Sequence, residues 1–507
     1  MGVRLQLQNA ALVYNATDWI IDVINAHPQW GVTAEYCTAS EYLAAIQHAD
    51  VALPVKEDKQ TFFPYNSWSG YFTSRPKLKG LSQQAHGPLH AAEGLFALRG
   101  VRSQPERQRL WDLLETARRN AGVVQHHDAI TGTPCSSEEG CSGMSSITGA
   151  HNSNLRSAPT IRLQLSAEHK TRIRLYVSDD PAAGGRIELA HRIGVLEPMT
   201  ELISRFSAAE LSTAAFYSED NGLETIKHRL GTPLIDPVCK ESPNASVTCW
   251  HGEIASIPRN HWPSQMSTFL DDGDHQLGVA LERSHGVASL SNGTLDVVQH
   301  RRGGPTNMGG PKAEQIVLDD VDRILTQTWL SVGNSTRANA LRHSNKLRVN
   351  HPLVLLFART DGAASFGVDA PVLVDRLGKM LNRGLPVSVH LQAVRATSVS
   401  ADEVLLSVLN VVGAQEPGAE TQSIDLGAVV RSFRPELAML NETTLNGLTP
   451  KAELERMQWK TDSHTKQNHA ARLAPKDVDE ASPGQISLRP LEMRVFMATL
   501  KADDDTR

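Results

Sequence analysis

At 507 residues the chain is long enough for two to four domains with sizeable cores. An apolar fraction of 40% and a charged fraction of 21% are ordinary for a globular protein. The net charge of -6 gives no polyanion-binding field, which argues against nucleic acid as a partner, and no apolar run approaches the roughly 20 residues of a membrane span.

The first residues, MGVRLQLQNAALVYNATDW, lack the continuous apolar core of a secretory signal. Ile20, Val23 and Ile24 follow helical spacing after a candidate cap at Thr17. GVTAEYCT then alternates, with Val32, Ala34 and Tyr36 on one face, and predicts a strand. Thr38 and Glu41 form a capping-box pattern opening a second helix, EYLAAIQHA. Helix, strand and helix together point to part of an α/β domain with a parallel sheet.

From Val55 to Leu81 the text reads as an aromatic loop. A helix is predicted over 82–98, weakened by Gly87 and Pro88. A second follows, with Ser103 and Glu106 as capping box and Leu110, Leu113, Leu114, Ala117 and Val124 as its apolar stripe. Together they suggest a small helical bundle. The Ser-, Gly- and Asn-rich stretch from about 134 to 160 reads as a linker. Beyond it, TRIRLYV, GRIELAH, QLGVALE, TLDVVQH, VSVHLQAV, EVLLSVLNVV and ISLRPLEMRVFMATL are short strands separated by turn residues, predicting an all-β half with one or two sandwiches, and RRGGPTNMGGPK reads as a long loop. The fold class expected is therefore multidomain α+β: an α/β remnant over 1–54, a helical bundle over 55–133, a flexible linker over 134–165 and β-rich domains over 166–507.

Five cysteines do not make a disulfide scaffold, but Cys135 with Cys141, and Cys239 with Cys249, lie close in sequence. The second pair flanks the sequon at Asn244, and further sequons start at Asn15, Asn292, Asn334 and Asn441. These features lean towards a lumenal protein.

The stretch QHHDAITGT, Gln125 to Thr133, carries the chemistry most open to function. Imidazole suits zinc and a carboxylate completes a mixed site, so His126, His127 and Asp128 are candidate ligands. The competing reading is a solvated helix end, where histidine suits the dipole. Tyr65, Trp68, Tyr71 and Phe72 offer either an apolar platform for a sugar ring or fasteners for their own loop. His86 and His90 have i,i+4 spacing, but Gly87 and Pro88 between them weigh against a metal pair. His300-Arg301-Arg302 reads as an anion or sugar contact, or as a solvated strand end.

FFPYNSWSGYFTSRPKLK followed by QHHDAITGT resembles the glycoside hydrolase family 38 α-mannosidases, in particular the lysosomal type. The resemblance continues, in order, through ELISRF (Glu201 to Phe206), FYSEDNG (Phe216 to Gly222), GVASLSNGTLDVVQHRR (Gly286 to Arg302) and LRPLEMRVFMATL (Leu488 to Leu500). It implies a retaining, zinc-dependent exo-α-mannosidase that removes terminal α-mannose from N-glycan oligosaccharides, using one nucleophilic carboxylate and one acid/base carboxyl. It implies His127 as a zinc ligand, Asp128 as a partner of a mannose hydroxyl, His126 as a lining residue and Trp68 as a sugar-packing ring. It also implies a lysosomal or other secretory-pathway lumen, and a Cys239–Cys249 bridge around a modified Asn244.

Several positions depart from the family. MGVRLQLQNA resembles a family stretch whose acid/base aspartate is replaced here by Arg4, and an arginine does not donate a proton near neutral pH. The acidic residue expected before FFPY is Thr61, and a family tyrosine that reaches the active site is Trp262. The family segments carrying the nucleophile and a His-x-Asp zinc pair have no counterpart among these residues, so the zinc site is expected to be incomplete. The chain is accordingly expected to be a shortened, internally deleted relative, inactive alone. The alternative is a non-catalytic glycan-binding or structural remnant.

Overall fold

In a computed structural model, described residues run over 10–48, 69–98, 104–131, 160–176, 186–213, 215–219, 221–229, 261–303, 305–307, 315–317, 320–352, 385–386, 388–400, 402–433, 437–454 and 484–500. The chain falls into two units, Met1–Lys59 and Gln60–Arg507. Arg4, Thr61, Tyr65, Trp68, Ser103, the cysteines 135, 141, 239 and 249, Asn244 and most of the expected linker lie outside the described residues.

The first unit holds helices α1 (Ala10–Asn25) and α2 (Ala39–His48). Thr17 does not cap α1. It lies within the helix, and its hydroxyl donates to the carbonyl of Val13 at 2.9 Å. The capping box of α2 forms as expected: the Thr38 amide donates to Glu41 Oε2 at 2.7 Å, and the Glu41 amide to Thr38 Oγ1 at 3.2 Å. The strand expected at Val32–Tyr36 is absent, and no sheet forms among the described residues of this unit. Instead the Asn25 amide accepts from Ala34 N and donates to Ala34 O, both at 2.9 Å. One side chain thus satisfies the backbone groups that a neighbouring strand would otherwise engage.

The second unit begins with α3 (Pro76–Leu98) and α4 (Gln104–Val124), followed by the short α5 (His127–Thr131). Helix α3 starts six residues before the expected position because Pro76 at its first position has no N–H to satisfy, and it runs through Pro88. On α4, Leu114 is buried and Trp111 half-buried, whereas Leu110 and Leu113 are exposed. The two helices are not a free-standing bundle. Phe96, Ala97 and Leu114 join the core of a β-sheet.

Twenty described strands follow: β1 (Thr160–Gln164), β2 (Lys170–Tyr176), β3 (Arg186–Ile193), β4 (Thr200–Ser207), β5 (Ala215–Glu219), β6 (Thr225–Arg229) and β7 (Trp262–Ser264). Next come β8 (Ser267–Asp271), β9 (His275–Leu281), β10 (His285–Ala288), β11 (Thr294–Arg302), β12 (Pro305–Asn307), β13 (Gln315–Val317) and β14 (Ile324–Asn334). The last are β15 (Val389–Ala396), β16 (Glu403–Asn410), β17 (Gln422–Asp425), β18 (Leu437–Thr443), β19 (Gln485–Leu488) and β20 (Met493–Leu500). Strand β1 occupies the end of the expected linker and pairs with β2, while β12 and β13 pair across the expected long loop.

An eight-stranded sheet, β1-β2-β3-β14-β9-β8-β5-β6, and a four-stranded sheet, β4-β11-β10-β7, share a core in which Phe216, Leu270, Leu277, Val279 and Leu281 meet Val287, Leu295 and Val297. A second four-stranded sheet, β15-β16-β20-β18, packs with the β17–β19 pair and α3 and α4 around Leu406, Val408, Leu488 and Phe496.

This half is not all-β. Helices α6 (Ser335–Asn350) and α7 (Leu426–Phe433) interrupt it. Asn334 caps α6, accepting from the Arg337 amide at 2.9 Å. The buried face of α6 is polar, with Asn339, Arg342, His343, Asn345 and Lys346 all inaccessible. Arg342 pairs with Glu219 and with Glu416 at 2.8 Å each, and Lys346 pairs with Glu219 at 2.8 Å. His343 Nε2 meets the same Glu416, whose other oxygen accepts from Thr225 at 2.6 Å.

Candidate functional site

The stretch carrying His126 and His127 sits at a break between two helices. At the end of α4 the amides of Gln125 and His126 turn to the carbonyls of Gly122 and Val123, three residues back, at 3.2 and 3.1 Å. The carbonyl of His126 then accepts from Ile130 N at 2.9 Å, starting α5. His126 and His127 are both exposed, with rings stacked at 4.5 Å between centroids. Asp128 is the second residue of α5; the structure describes its backbone position alone.

His86 is committed elsewhere. Its Nδ1 lies 2.7 Å from the Ser82 carbonyl and its Nε2 2.9 Å from the Gln125 amide nitrogen. An Nδ1–H donor with an Nε2 acceptor satisfies both bonds, which leaves no lone pair for a metal. His90 instead lies beside His351, ring centroids 6.0 Å apart.

The aromatic segment ties three sequence motifs together. Ser74 Oγ donates to the carbonyl of Thr131, the last residue of α5, at 3.3 Å. Thr73 Oγ1 accepts from Gly286 N at 2.8 Å and donates to Val298 O at 3.4 Å, which anchors the same segment to β10 and β11. Beneath it Lys79 is buried, its Nζ donating to the carbonyls of Tyr71 and Phe72 at 2.6 and 2.7 Å. Burial lowers the Lys79 pKa to about 7; Asp320 opposes the shift and Arg301 adds to it. Asp320 accepts from the Arg75 amide at 2.8 Å, and its own carboxyl is pushed up by burial.

Arg301 lies against Gly70, where a Cβ would come within 1.8 Å of its guanidinium, and it pairs with Glu201 at 3.3 Å. His300 is not a solvated strand end. It is fully buried, with Nε2 3.1 Å from the Asp322 carbonyl, and burial lowers its pKa. Arg302 donates to Leu196 O at 2.8 Å. Arg301 thus bridges β11 to β4, while His300 and Arg302 tie β11 to the segments before β14 and after β3. Trp262 stacks on His228 at 4.1 Å within the first sandwich. Sequence reasoning missed Lys79 and Thr73, because nothing in RPKLK separates the buried Lys79 from the exposed Lys77.

Residues 66–138 match the family described as "Alpha mannosidase middle domain". The chain is similar to the glycoside hydrolase family 38 α-mannosidases. The epididymis-specific alpha-mannosidase of Sus scrofa is 25% identical over 338 residues, covering 61% of this chain and 31% of that protein. The lysosomal alpha-mannosidase of Dictyostelium discoideum is 36% identical over 139 residues, 26% of this chain and 14% of that protein. For the lysosomal alpha-mannosidase of Homo sapiens the figures are 26% over 305 residues, 59% and 28%. The chain thus spans under a third of the length of each. A solved alpha-mannosidase from Enterococcus faecalis V583 aligns at 11% identity and TM-score 0.36, over 65% of this chain and 28% of that one.

The described residues do not by themselves make up the zinc site that the resemblance implies. Among the described residues no group of three or more His, Cys, Asp or Glu side chains converges, and the stacked, exposed pair of His126 and His127 cannot complete a tetrahedral site. Of the other residues implied by the resemblance, Trp68 and Arg4 lie outside the described residues.

Proposed function

We propose that this chain supplies sugar-contacting parts of a site that removes terminal α-mannose from N-glycan oligosaccharides by the retaining, two-carboxylate route. The observation that carries the reading is the convergence of the aromatic segment, α5 and the β10–β11 hairpin through Ser74 and Thr73. That packing fixes the helix break at His126 and His127 relative to Ser69–Phe72, the described end of the aromatic segment. Asp128 would accept from a mannose hydroxyl, His126 would line the pocket and Trp68 would pack on the ring face. His127 would give one imidazole to zinc, with the remaining donors coming from residues other than those described. The relatives support a lysosomal or secretory-pathway lumen.

A retaining glycosidase needs a nucleophile and an acid/base, and Arg4 cannot serve as the acid. The 507-residue chain alone should therefore leave an aryl α-mannoside unhydrolysed above background at acidic pH with added zinc. Mannose should still protect it weakly, and less so in Asp128→Asn. Zinc-dependent hydrolysis by this chain, abolished in His127→Ala, would overturn the assignment of Arg4. Absence of any mannose binding would favour a structural role instead.

A further inference from the structure

We propose that a cleft formed by β1, β2, β3 and the first half of α3 binds a saccharide carrying sulfate or phosphate esters. The cleft has a volume of about 910 Å³ and is lined by Arg162, Lys170, Arg172 and Arg192. Its strand register opposes like charges directly: Arg162 faces Arg172 across β1 and β2, and Lys170 faces Arg192 across β2 and β3. Directly opposed side chains on antiparallel strands stand about 5 Å apart at Cβ, and like charges there destabilise the pair. None of these four cations has an acidic partner among the described residues, and the Nε of Arg172 is buried without a hydrogen-bond partner. The neighbouring charges are already committed. Lys77 pairs with Asp322 at 2.9 Å, Arg323 with Glu168 at 3.2 Å, and Glu282 with Arg283 at 2.6 Å.

A sheet that merely covered its own core would not gather four uncompensated cations on one concavity. An anion placed there relieves both repulsions and satisfies the Arg172 nitrogen through charge-assisted hydrogen bonds. Lys170 and Arg172 are two residues apart on one strand, so the two cation pairs stand about 7 Å apart. That spacing suits two ester groups on one oligosaccharide better than a single inorganic anion. The choice of a saccharide as carrier rests on the α-mannosidase reading; the anion specificity rests on the register alone.

The test is calorimetric titration of the 507-residue chain with a heparin-derived sulfated tetrasaccharide, an uncharged mannotetraose, inorganic phosphate and a glutamate oligomer, at low and at high salt. The sulfated tetrasaccharide should bind about tenfold or more tightly than phosphate or mannotetraose, and more weakly at high salt. The double variant Lys170→Gln/Arg172→Gln should weaken it by about tenfold or more, whereas Arg119→Gln, at an exposed arginine outside the cleft, should not. Should the double variant fail to fold by circular dichroism, Arg162→Gln on the exposed edge strand replaces it with the same expectation. Unchanged affinity in the folded variant, or no binding by the native chain, overturns the site. A glutamate oligomer binding as tightly as the tetrasaccharide overturns the saccharide assignment. Hydrolysis is not measured, so failure of the mannosidase reading shows in the activity assay and failure of this one in the titration.

Discussion

Lys79 shows how a single side chain can impose a pH dependence on a folded segment. Its ammonium is held by the Tyr71 and Phe72 carbonyls, yet burial brings its pKa down to about 7 from 10.5. Between those values the unfolded chain keeps the proton and the folded chain has released it, so this group's contribution to stability rises with pH across that window and is flat below it. From pH 7.5 to 9.5 the contribution should rise by about 2–3 kcal/mol. Urea denaturation of the native chain and of Lys79→Met at both values measures it, since the variant should lack this increment. An equal pH response in the two would mean that Lys79 is charged throughout. At this scale the sequence shows residue types but not burial. QHHDAITGT announces a helix break that the structure contains, whereas Lys79 looks like any solvated lysine of a helix start.

Helix α6 depends on partners distant in sequence. Its buried face presents Arg342 and Lys346 to Glu219 and Glu416. Burial alone would raise the Glu416 pKa, but Arg342 and the His343 hydrogen bond outweigh it and hold the carboxyl well below the usual range. Arg342→Met would leave two buried carboxylates short of a cation, a loss of about 3–5 kcal/mol. A fall in denaturation midpoint of that size is expected, and Glu416→Gln in the same background should recover part of it. A near-neutral Arg342→Met would show the network to be dispensable. The first unit offers a smaller case. Asn25→Leu removes both bonds to Ala34, and hydrogen exchange at the Ala34 amide should accelerate while that at α6 stays unchanged.

These elements also mark what could be read from the chain. The capping box at Thr38 and Glu41 was legible because both bonds are local, and the alternating strands were legible because their apolar face meets an apolar core. Val32 to Tyr36 alternates equally well, but a side-chain amide rather than a strand satisfies Ala34. Helix α6 escaped detection because its inward face is charged, so no apolar period marks it. The candidate site was legible as residue types at a helix end; its packing through Ser74 and Thr73 was not, since neither residue differs in sequence from a surface hydroxyl.

Across the second unit, buried histidines set a common response to acid. Burial lowers the pKa of His191, His343 and His390 to about 4 and that of His285 to about 3. Each is neutral in the fold and takes up a proton near 6.5 when unfolded, so the stability it confers is present above that value and is lost as pH falls towards its folded pKa. Between pH 6.5 and 5 each removes about 2 kcal/mol, a large fraction jointly of a typical folding free energy. The urea midpoint should therefore drop steeply from pH 7 to pH 5, and His390→Gln should soften the drop. A midpoint independent of pH over that interval would show that these histidines stay partly protonated in the fold.

The charge network around α6 also sets an order of events at the ribosome. Glu219 is synthesised before Arg342 and Lys346, but Glu416 follows Lys346 by 416 − 346 = 70 residues. At roughly 5–20 residues per second, that interval lasts about 4–14 s. During it two cations on the helix face one carboxylate, and the surplus charge resists leaving water. Burying the helix before the later segment emerges would leave one cation unpaired, at a cost of about 3–5 kcal/mol. A chain released from synthesis in that interval would lack the second carboxylate that Arg342 pairs with in the complete fold.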